Sequence, residues 1–386
     1  MSRRNFILLI IVSVIAIILL FLFFFMRSTP APGETEESGG FFGFNPFGGI
    51  KTVSPTVPPS EIEETIPPEE MAKMKLVKVS TMPIAGFTVF KKEKVEKEFI
   101  SALRYVDRAT GNIYQTFADE IKERKFSGTI IPMVYEALFG NNGEVVIMRY
   151  LKNDDRTIQT FLGNLPKEIL GEDTVVEKEI TGSFLPENIS DLSLSFDATK
   201  IFYLLPSEES VSGIILNLKD NKKTQIFDSS FTEWLSFWSN SKMITLNTKP
   251  SGIALGYVYA LDPIKKTLDR VLDNINGLTT LASPDGKSIL YSGSNLALNI
   301  YQLDTKESIP LGISSLPEKC SWSRLSDILY CAIPKSVSPG LYPDSWYKGE
   351  VSFSDEVWKI NPEDGSMVKI IDPVEVVFEE IDGTKL

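Results

Sequence analysis

The hydrophobic and polar positions of the chain form a recurring unit: a turn rich in Asn, Asp, Ser or Gly, then a β-branched and aromatic run. The clearest copy is SPDGKSILY at 283–291, and weaker copies stand at 139–150, 195–204, 238–247 and 322–331. The apolar runs alternate with polar residues or are continuous, as expected of strands packed on one or both faces. The pattern therefore predicts a series of β-hairpins.

The copies are regularly spaced. Aligned on their turns, they begin near residues 137, 192, 235, 279 and 320. Self-similarity at about 40–50 residues is typical of β-propellers, in which each repeat is one four-stranded blade. Residues 278–315 have room for four short strands: LTTLA, SILYSG, ALNIYQLD and a polar strand that ends at LG.

The number of blades is less clear than the fold class. Residues 86–117 predict one earlier blade, and residues 374–386 look like the start of another hairpin with an Asp-Gly turn at 382–383. We therefore expect an all-β protein: a β-propeller over 76–386 with six to seven blades, the last one incomplete. In the alternative, six blades close the ring and the last residues complete the first blade. A tandem β-sandwich fits less well, because sandwiches lack this regular spacing.

The N-terminus predicts one transmembrane helix. Residues 6–26 contain no charged side chain, and a helix of this length crosses about 30 Å of hydrocarbon. Arg3 and Arg4 precede it and the following segment is acidic, so residues 1–5 are expected to be a cytoplasmic stub. A cleaved signal peptide is the alternative, but three phenylalanines stand where small residues usually mark the cleavage site.

Residues 27–75 are rich in Pro and Glu and predict a flexible tether, because such a segment buries too little apolar surface to fold. The expected location is the cell membrane, with a single span and the C-terminal domain outside the cytoplasm.

The repeated motif carries a family resemblance. SPDGKSILY, with its weaker copies, resembles the WD40-like repeat of TolB-type β-propellers over residues 129–372. This resemblance implies the fold and not an activity. With its anchor and tether, the whole chain also resembles membrane-anchored propeller proteins of uncultured bacteria, which again implies no activity.

The composition restricts the chemistry. The chain has no histidine, so it has neither a Ser-His-Asp triad nor a Cys-His pair, and two cysteines cannot form a four-thiolate metal site. No G-x-S-x-G motif appears. The net charge of −12 and the lack of a Lys/Arg cluster argue against a nucleic-acid groove. We therefore predict no catalytic residue, no metal, no cofactor and no nucleic-acid partner.

The two cysteines flank one hairpin. If its turn centres on Leu325-Ser326, Cys320 and Cys331 stand opposite each other on paired strands, within reach of a disulfide. A location outside the cytoplasm would permit oxidation. A pair of buried free thiols is the alternative.

The connections that follow second strands are long, at 204–213, 247–256 and 333–356. Loops of more than about 12–15 residues are often functional, and Trp and Tyr bury large rigid surfaces on binding. The candidate binding residues are therefore Tyr342, Asp344, Trp346, Tyr347 and Lys348. The alternative is that the loop folds back onto the ring. Three further tryptophans near first strands, Trp234, Trp238 and Trp322, are expected to pack between blades.

The predicted function is binding: an anchored propeller that presents its loops to a cell-envelope protein, a peptide or a glycan. One alternative is a carbohydrate-active propeller enzyme, which two or three carboxylates in the central funnel would favour. A funnel lined by apolar and amide groups would favour binding. The other alternative is a structural spacer of a surface assembly.

Overall fold

Six four-stranded antiparallel sheets make up the part of the chain that the computed structural model describes, namely residues 76–93, 99–118, 120–166 and 179–383. Each sheet contains four strands that are consecutive in the sequence and paired with their neighbours in order. The fold is a six-bladed β-propeller.

The strand bounds are as follows. Blade 1 contains β1 (Ile84–Glu93), β2 (Phe99–Asp107), β3 (Ile113–Phe117) and β4 (Glu120–Lys125). Blade 2 contains β5 (Val134–Gly140), β6 (Val145–Leu151), β7 (Ile158–Asn164) and β8 (Thr181–Phe184). Blade 3 contains β9 (Asp191–Leu194), β10 (Lys200–Pro206), β11 (Val211–Asn217) and β12 (Lys223–Ser229).

The second half of the ring repeats this plan. Blade 4 contains β13 (Trp234–Asn240), β14 (Met243–Thr248), β15 (Leu255–Leu261) and β16 (Leu268–Asn276). Blade 5 contains β17 (Thr279–Ala282), β18 (Ser288–Ser292), β19 (Ala297–Gln302) and β20 (Ser308–Ser314). Blade 6 contains β21 (Cys320–Trp322), β22 (Leu329–Pro334), β23 (Asp355–Ile360) and β24 (Met367–Ile371). Two short helices, α1 (Asp344–Tyr347) and α2 (Pro373–Val377), lie in and after blade 6.

The repeat predicted from the sequence is confirmed. The first strands of blades 2 to 6 begin within three residues of the predicted positions, at Val134, Asp191, Trp234, Thr279 and Cys320. The earlier blade predicted at 86–117 is also present, as blade 1.

A serine closes the repeated turn. In SPDGKSILY, the Ser283 hydroxyl donates to Asp285 Oδ1 at 2.6 Å and accepts from the Ser288 N–H at 3.0 Å. The copy at 195–204 contains the same bond, from Ser195 to Asp197, and in the copy at 322–331 Ser323 donates to Asp327, two residues further on. Short polar side chains that bond to nearby backbone groups favour turns, and this explains why the motif recurs at the end of first strands.

Apolar residues pack between consecutive blades. One cluster joins Val106 of blade 1 to Val134 and Val146 of blade 2, and four further clusters join the later pairs up to blades 5 and 6. β1 and β5 lie so close that a side chain at Gly86 would overlap the backbone of Ala137. Because each sheet buries apolar side chains against the next one, the blades stand face to face around an axis.

The seventh blade expected at the C-terminus is wrong. Residues 374–383 form helix α2 and an irregular segment instead of a hairpin, and they do not extend blade 1. The physical reason is that Asp382, which resembles a turn residue in the sequence, accepts hydrogen bonds from the Trp346 indole and from the Phe353 N–H. We call residues 378–383 the tail.

Cys320 and Cys331 are directly paired across β21 and β22, and they form a disulfide with their Cα atoms 4.1 Å apart. The predicted membrane anchor at 6–26 and the tether at 27–75 lie outside the described residues. Within those that are described, no helix has the length and apolar character needed to cross a membrane.

A buried lysine holds the tail against blade 6. Lys319 is completely buried, and its ammonium group contacts Asp355 at 2.6 Å and also Asp382. The same ammonium lies 5.3 Å from the centre of the Trp346 ring and 5.0 Å from that of Phe353. Two carboxylates and two aromatic faces together compensate for the lost hydration of the cation.

We predict that Lys319→Met destabilises the protein strongly. The change leaves two carboxylates without their cation in a buried site, which costs about 3–5 kcal/mol in the free energy of unfolding. Urea unfolding measures this value. Lys249→Met is the matched control, because the ion pair of Lys249 with Glu233 is exposed and is worth less than about 1 kcal/mol. Equal costs for the two variants would contradict the prediction.

Candidate functional site

A cavity of about 810 Å³ lies along the axis of the propeller. Its walls are the first strands of blades 2 to 6, which are the innermost strands of the ring. Residues of the β14–β15 and β22–β23 connections lie at one end of it. Residues of the turns that follow β9 and β17 lie at the other end.

The lining combines carboxylates, hydroxyls, one amide and large apolar side chains. The polar lining residues are Glu136, Asp191, Ser193, Ser195, Ser236, Ser239, Asn247, Thr279, Thr280, Glu318 and Ser321. The aromatic lining residues are Phe196, Phe237, Trp238, Trp322 and Trp346. Leucines, prolines, one alanine and one cysteine complete the described wall. Such a cavity can hold a ligand by apolar contact and orient it by a few polar groups.

Asp191 stands at the start of β9 and faces β13. Its Oδ2 atom accepts hydrogen bonds from the N–H and the hydroxyl of Ser236, both at 2.6 Å. Although part of the residue faces the cavity, protein surrounds the carboxylate, and this burial raises its pKa to about 6. The bonds from Ser236 and the Arg149 guanidinium oppose the increase, whereas the Glu136 carboxylate adds to it. A carboxyl group that titrates near neutral pH inside a cavity is a recognised sign of a functional site.

Glu136 comes from the neighbouring strand β5 and is compensated. Arg149 of β6 contacts the Glu136 carboxylate at 2.5 Å and donates to the Ile189 carbonyl at 2.6 Å. The guanidinium is almost completely buried. Glu136 and Arg149 therefore form a neutral pair in the wall, next to the ring of Tyr135.

Glu318 is the third carboxylate. It lies in a short 3-10 helix, Pro317–Lys319, that directly precedes β21. One oxygen accepts the Tyr347 hydroxyl, and the other oxygen is buried without a hydrogen-bond partner. Burial raises the pKa of Glu318, and the bond from Tyr347 opposes this increase. Buried carboxylate oxygens are normally paired, so this free oxygen is an exception.

Two further polar atoms of lining residues are buried without a partner: the indole N–H of Trp238 and the side-chain oxygen of Asn247. Trp238 and Trp322 pack between blades, as the sequence predicts, but both also line the cavity. Trp234 packs between blades 3 and 4.

The candidate residues of the long loop have different environments. Trp346 alone among the five lines the cavity. Tyr342 is buried and stacks on Phe353, with ring centres 5.8 Å apart. Tyr347 is about half exposed, and Lys348 is exposed with Glu350 3.9 Å away.

Asp344 fastens this loop to the preceding long loop of blade 4. Its carboxylate accepts from the Gly252 N–H at 2.6 Å and from the Ser251 hydroxyl at 3.1 Å. The bond from Gly252 is the main reason why the pKa of Asp344 is lowered. The loop is thus held on the ring, and its tryptophan closes one side of the cavity.

Sequence reasoning missed the carboxylates of the cavity. One signal was available: the first strand of blade 3 has polar residues at alternate positions, Asp191 and Ser193, and Ser195 directly after it continues the alternation. A strand packed on both faces is usually apolar throughout. Glu136 and Glu318 have no comparable signal, since only the packing of the blades around the axis places them in the same cavity as Asp191.

A second cavity, of about 470 Å³, lies beside the first and shares Phe196 with it. Val89 of β1, Asn142 and the exposed Arg324 of the β21–β22 turn also line it, so blades 1, 2, 3 and 6 meet there. Within the described part of the chain, no three His, Cys, Asp or Glu side chains are grouped to hold a metal ion.

Comparison with known proteins identifies the fold and no more. No family model matches the sequence, and no curated protein is detectably similar to it. Solved structures do match. TolB from Acinetobacter baumannii is 12% identical, with 73% of this chain and 78% of that chain covered and a TM-score of 0.43.

Two enzymes are also among the similar structures. A puromycin hydrolase mutant complexed with PGG is 10% identical, with a TM-score of 0.50 over 75% of this chain and 47% of that chain. An oligogalacturonate lyase in complex with manganese is 11% identical, with a TM-score of 0.45 over 79% of this chain and 89% of that chain. At 10% identity and a TM-score of 0.50, the likeness to the puromycin hydrolase supports the propeller fold and leaves the activity open.

We predict that Asp191→Asn stabilises the protein at neutral pH. The folded-state pKa of about 6 lies above the ordinary value of 3.8, so ionisation costs stability as the pH rises between these values. The gain of the variant in free energy of unfolding should be small near pH 4 and reach about 2–3 kcal/mol at pH 7.5. Urea unfolding at both pH values measures the gain.

The matched control is Asp269→Asn, because Asp269 is exposed on β16. This variant should change stability by less than about 0.5 kcal/mol at either pH. If Asp191→Asn lost the same stability at both pH values, ionisation of Asp191 would not destabilise the folded protein, and the prediction would be wrong.

Proposed function

We propose that this protein is a binding module: a propeller, anchored to the membrane and exposed outside the cytoplasm, whose central cavity receives a segment of a cell-envelope protein or peptide. The charge-free run at 6–26 supports the anchor, and the Arg3-Arg4 pair before it supports the orientation. The ligand enters at the end of the cavity where Trp346 and Glu318 lie.

The observation that carries this proposal is the unmet hydrogen-bonding capacity of the cavity. The Trp238 N–H, the Asn247 oxygen and one Glu318 oxygen are buried without partners around a space large enough for several residues of an extended peptide. A buried polar group without a partner costs about 1–3 kcal/mol. A ligand that supplies those partners removes the cost, so the cavity is suited to binding.

The fixed loop also supports binding. Asp344 ties it to blade 4, and the tail carboxylate of Asp382 holds Trp346 through its indole N–H at 2.9 Å. A cavity whose walls are held before the ligand arrives loses little conformational entropy on binding.

A second candidate function is carbohydrate hydrolysis or elimination, and one observation favours it. Asp191, with its pKa of about 6 and with Glu136 nearby, has the property expected of a general acid. The three carboxylates of the wall meet the expectation stated for an enzyme, whereas its apolar and aromatic residues meet the one stated for binding.

The test is a selection of random peptides displayed on phage against the full-length protein in lipid nanodiscs. Selected peptides should bind the wild type and Thr305→Trp with equal affinity and bind Thr280→Trp at least tenfold more weakly. Thr280 lines the cavity, whereas Thr305 is exposed in the β19–β20 turn, so both variants add the same side chain. Melting temperatures verify the fold, and Ser321→Trp replaces Thr280→Trp if that variant does not fold.

Peptides that bind Thr280→Trp as well as the wild type would place the site outside the cavity and contradict the proposal. Failure to select any peptide would also count against it. Cleavage of oligosaccharides by the wild type, lost in Asp191→Asn, would establish the enzyme instead.

A further inference from the structure

We propose that the central cavity recognises a basic side chain, so that the ligand segment inserts a lysine or an arginine between the carboxylates and the tryptophans. This inference rests on the proposed binding function and names the chemical class of its ligand. It is carried by the charge balance of the wall, by its unpartnered polar atoms, and by a lysine site that the same fold already contains.

The described wall of the cavity is acidic. Three carboxylates line it, from Glu136, Asp191 and Glu318, and no Lys or Arg is among the described lining residues. Arg149 neutralises Glu136 from behind. The negative charge that remains therefore belongs to Asp191 and Glu318, on opposite sides of the ring in blade 3 and before blade 6.

The nearest lysine to Glu318 in sequence does not compensate for it. Lys319 is not a lining residue of the cavity, and it contacts Asp355 and Asp382, which together outweigh its charge. One Glu318 oxygen accepts the Tyr347 hydroxyl, and the other is buried without a partner. An ammonium or guanidinium group donates several hydrogen bonds and accepts none, so it matches this free oxygen.

A second observation points to a ligand independently of the carboxylates. The side chain of Trp238 is about 95% buried in the cavity wall, and its indole N–H has no partner. Such a donor is suited to a carbonyl oxygen, which the backbone of an inserted peptide offers. The cavity thus presents acceptors for a basic side chain and a donor for the backbone that carries it.

The fold shows the proposed chemistry in its own lysine site. Lys319 is held by two carboxylates and by the faces of Trp346 and Phe353, and it is fully buried. The cavity offers carboxylates and tryptophans as well, since Trp346 borders both sites and Trp322 also lines the cavity. The faces of such rings attract a cation, whereas a neutral side chain gains no such attraction.

The experiment compares three capped peptides that differ at one position, Gly-Ser-Leu-X-Leu-Ser-Gly with X as lysine, norleucine or glutamate. Calorimetric titration of the full-length protein measures their affinities. The lysine peptide should bind at least tenfold more tightly than the norleucine peptide, which has nearly the same shape without the charge. The glutamate peptide should bind most weakly.

Two charge-removing variants locate the effect. Glu318→Gln keeps an acceptor for Tyr347, and it should weaken the lysine peptide at least fivefold and leave the norleucine peptide unchanged. Glu307→Gln, in an exposed turn of blade 5, should change neither affinity. Because the norleucine peptide reports on the integrity of the cavity, a structural effect of Glu318→Gln would be visible as a loss of both peptides.

Failure of this inference is distinguishable from failure of the proposed function. Norleucine binding that equals or exceeds lysine binding, and is blocked by Thr280→Trp, would overturn the basic ligand and leave the binding cavity intact. If a glucosamine tetramer bound and none of the peptides did, the recognised cation would belong to an amino sugar, and the proposal of a peptide ligand would be overturned. If none of these probes bound, the inference would fall, and the phage selection would decide the function separately.

Discussion

The face-to-face packing of apolar sheets is the constraint on which the rest of this structure depends. Each blade buries apolar side chains against the next one, through five clusters that run from blade 1 to blade 6. Because the blades pack against each other through their sheet faces, the first strand of each blade lies nearest the axis. The space between these strands is left open. The cavity of about 810 Å³ is therefore a consequence of blade packing, and its chemistry depends on the few side chains at the inner strands.

Those side chains are poor choices for stability, and this is the main argument that they serve a function. Asp191 and Glu318 are carboxylates whose burial raises their pKa, and a buried acid costs free energy when it ionises. By contrast, Lys319 has both carboxylates and aromatic faces around it, so the fold is able to satisfy a buried charge where stability requires it. Among the described residues, buried polar atoms without a partner occur elsewhere too, Asp355 Oδ1 among them, but three of them belong to residues that line the cavity.

Sequence patterns predicted the propeller because its turns are local. The Ser-Asp turn of SPDGKSILY marks the end of a first strand wherever it occurs, and the pairing of Cys320 with Cys331 follows from the symmetry of one hairpin. The tail was misjudged because an Asp-Gly pair has the same local preference in a turn and in a docked segment. The cavity could not be predicted residue by residue, since Glu136, Asp191 and Glu318 are far apart in sequence and only ring closure brings them together.

The most direct measurement is the titration of the Asp191 carboxyl carbon by NMR, in protein labelled with carbon-13 at aspartate side chains and assigned by comparison with Asp191→Asn. With Asp191 desolvated by burial beside the cavity, its midpoint lies near pH 6, and bound lysine peptide lowers it because a nearby cation favours the carboxylate. A midpoint near the ordinary value of 3.8 that the peptide did not change would contradict the claim that burial destabilises the Asp191 carboxylate and that a ligand cation stabilises it.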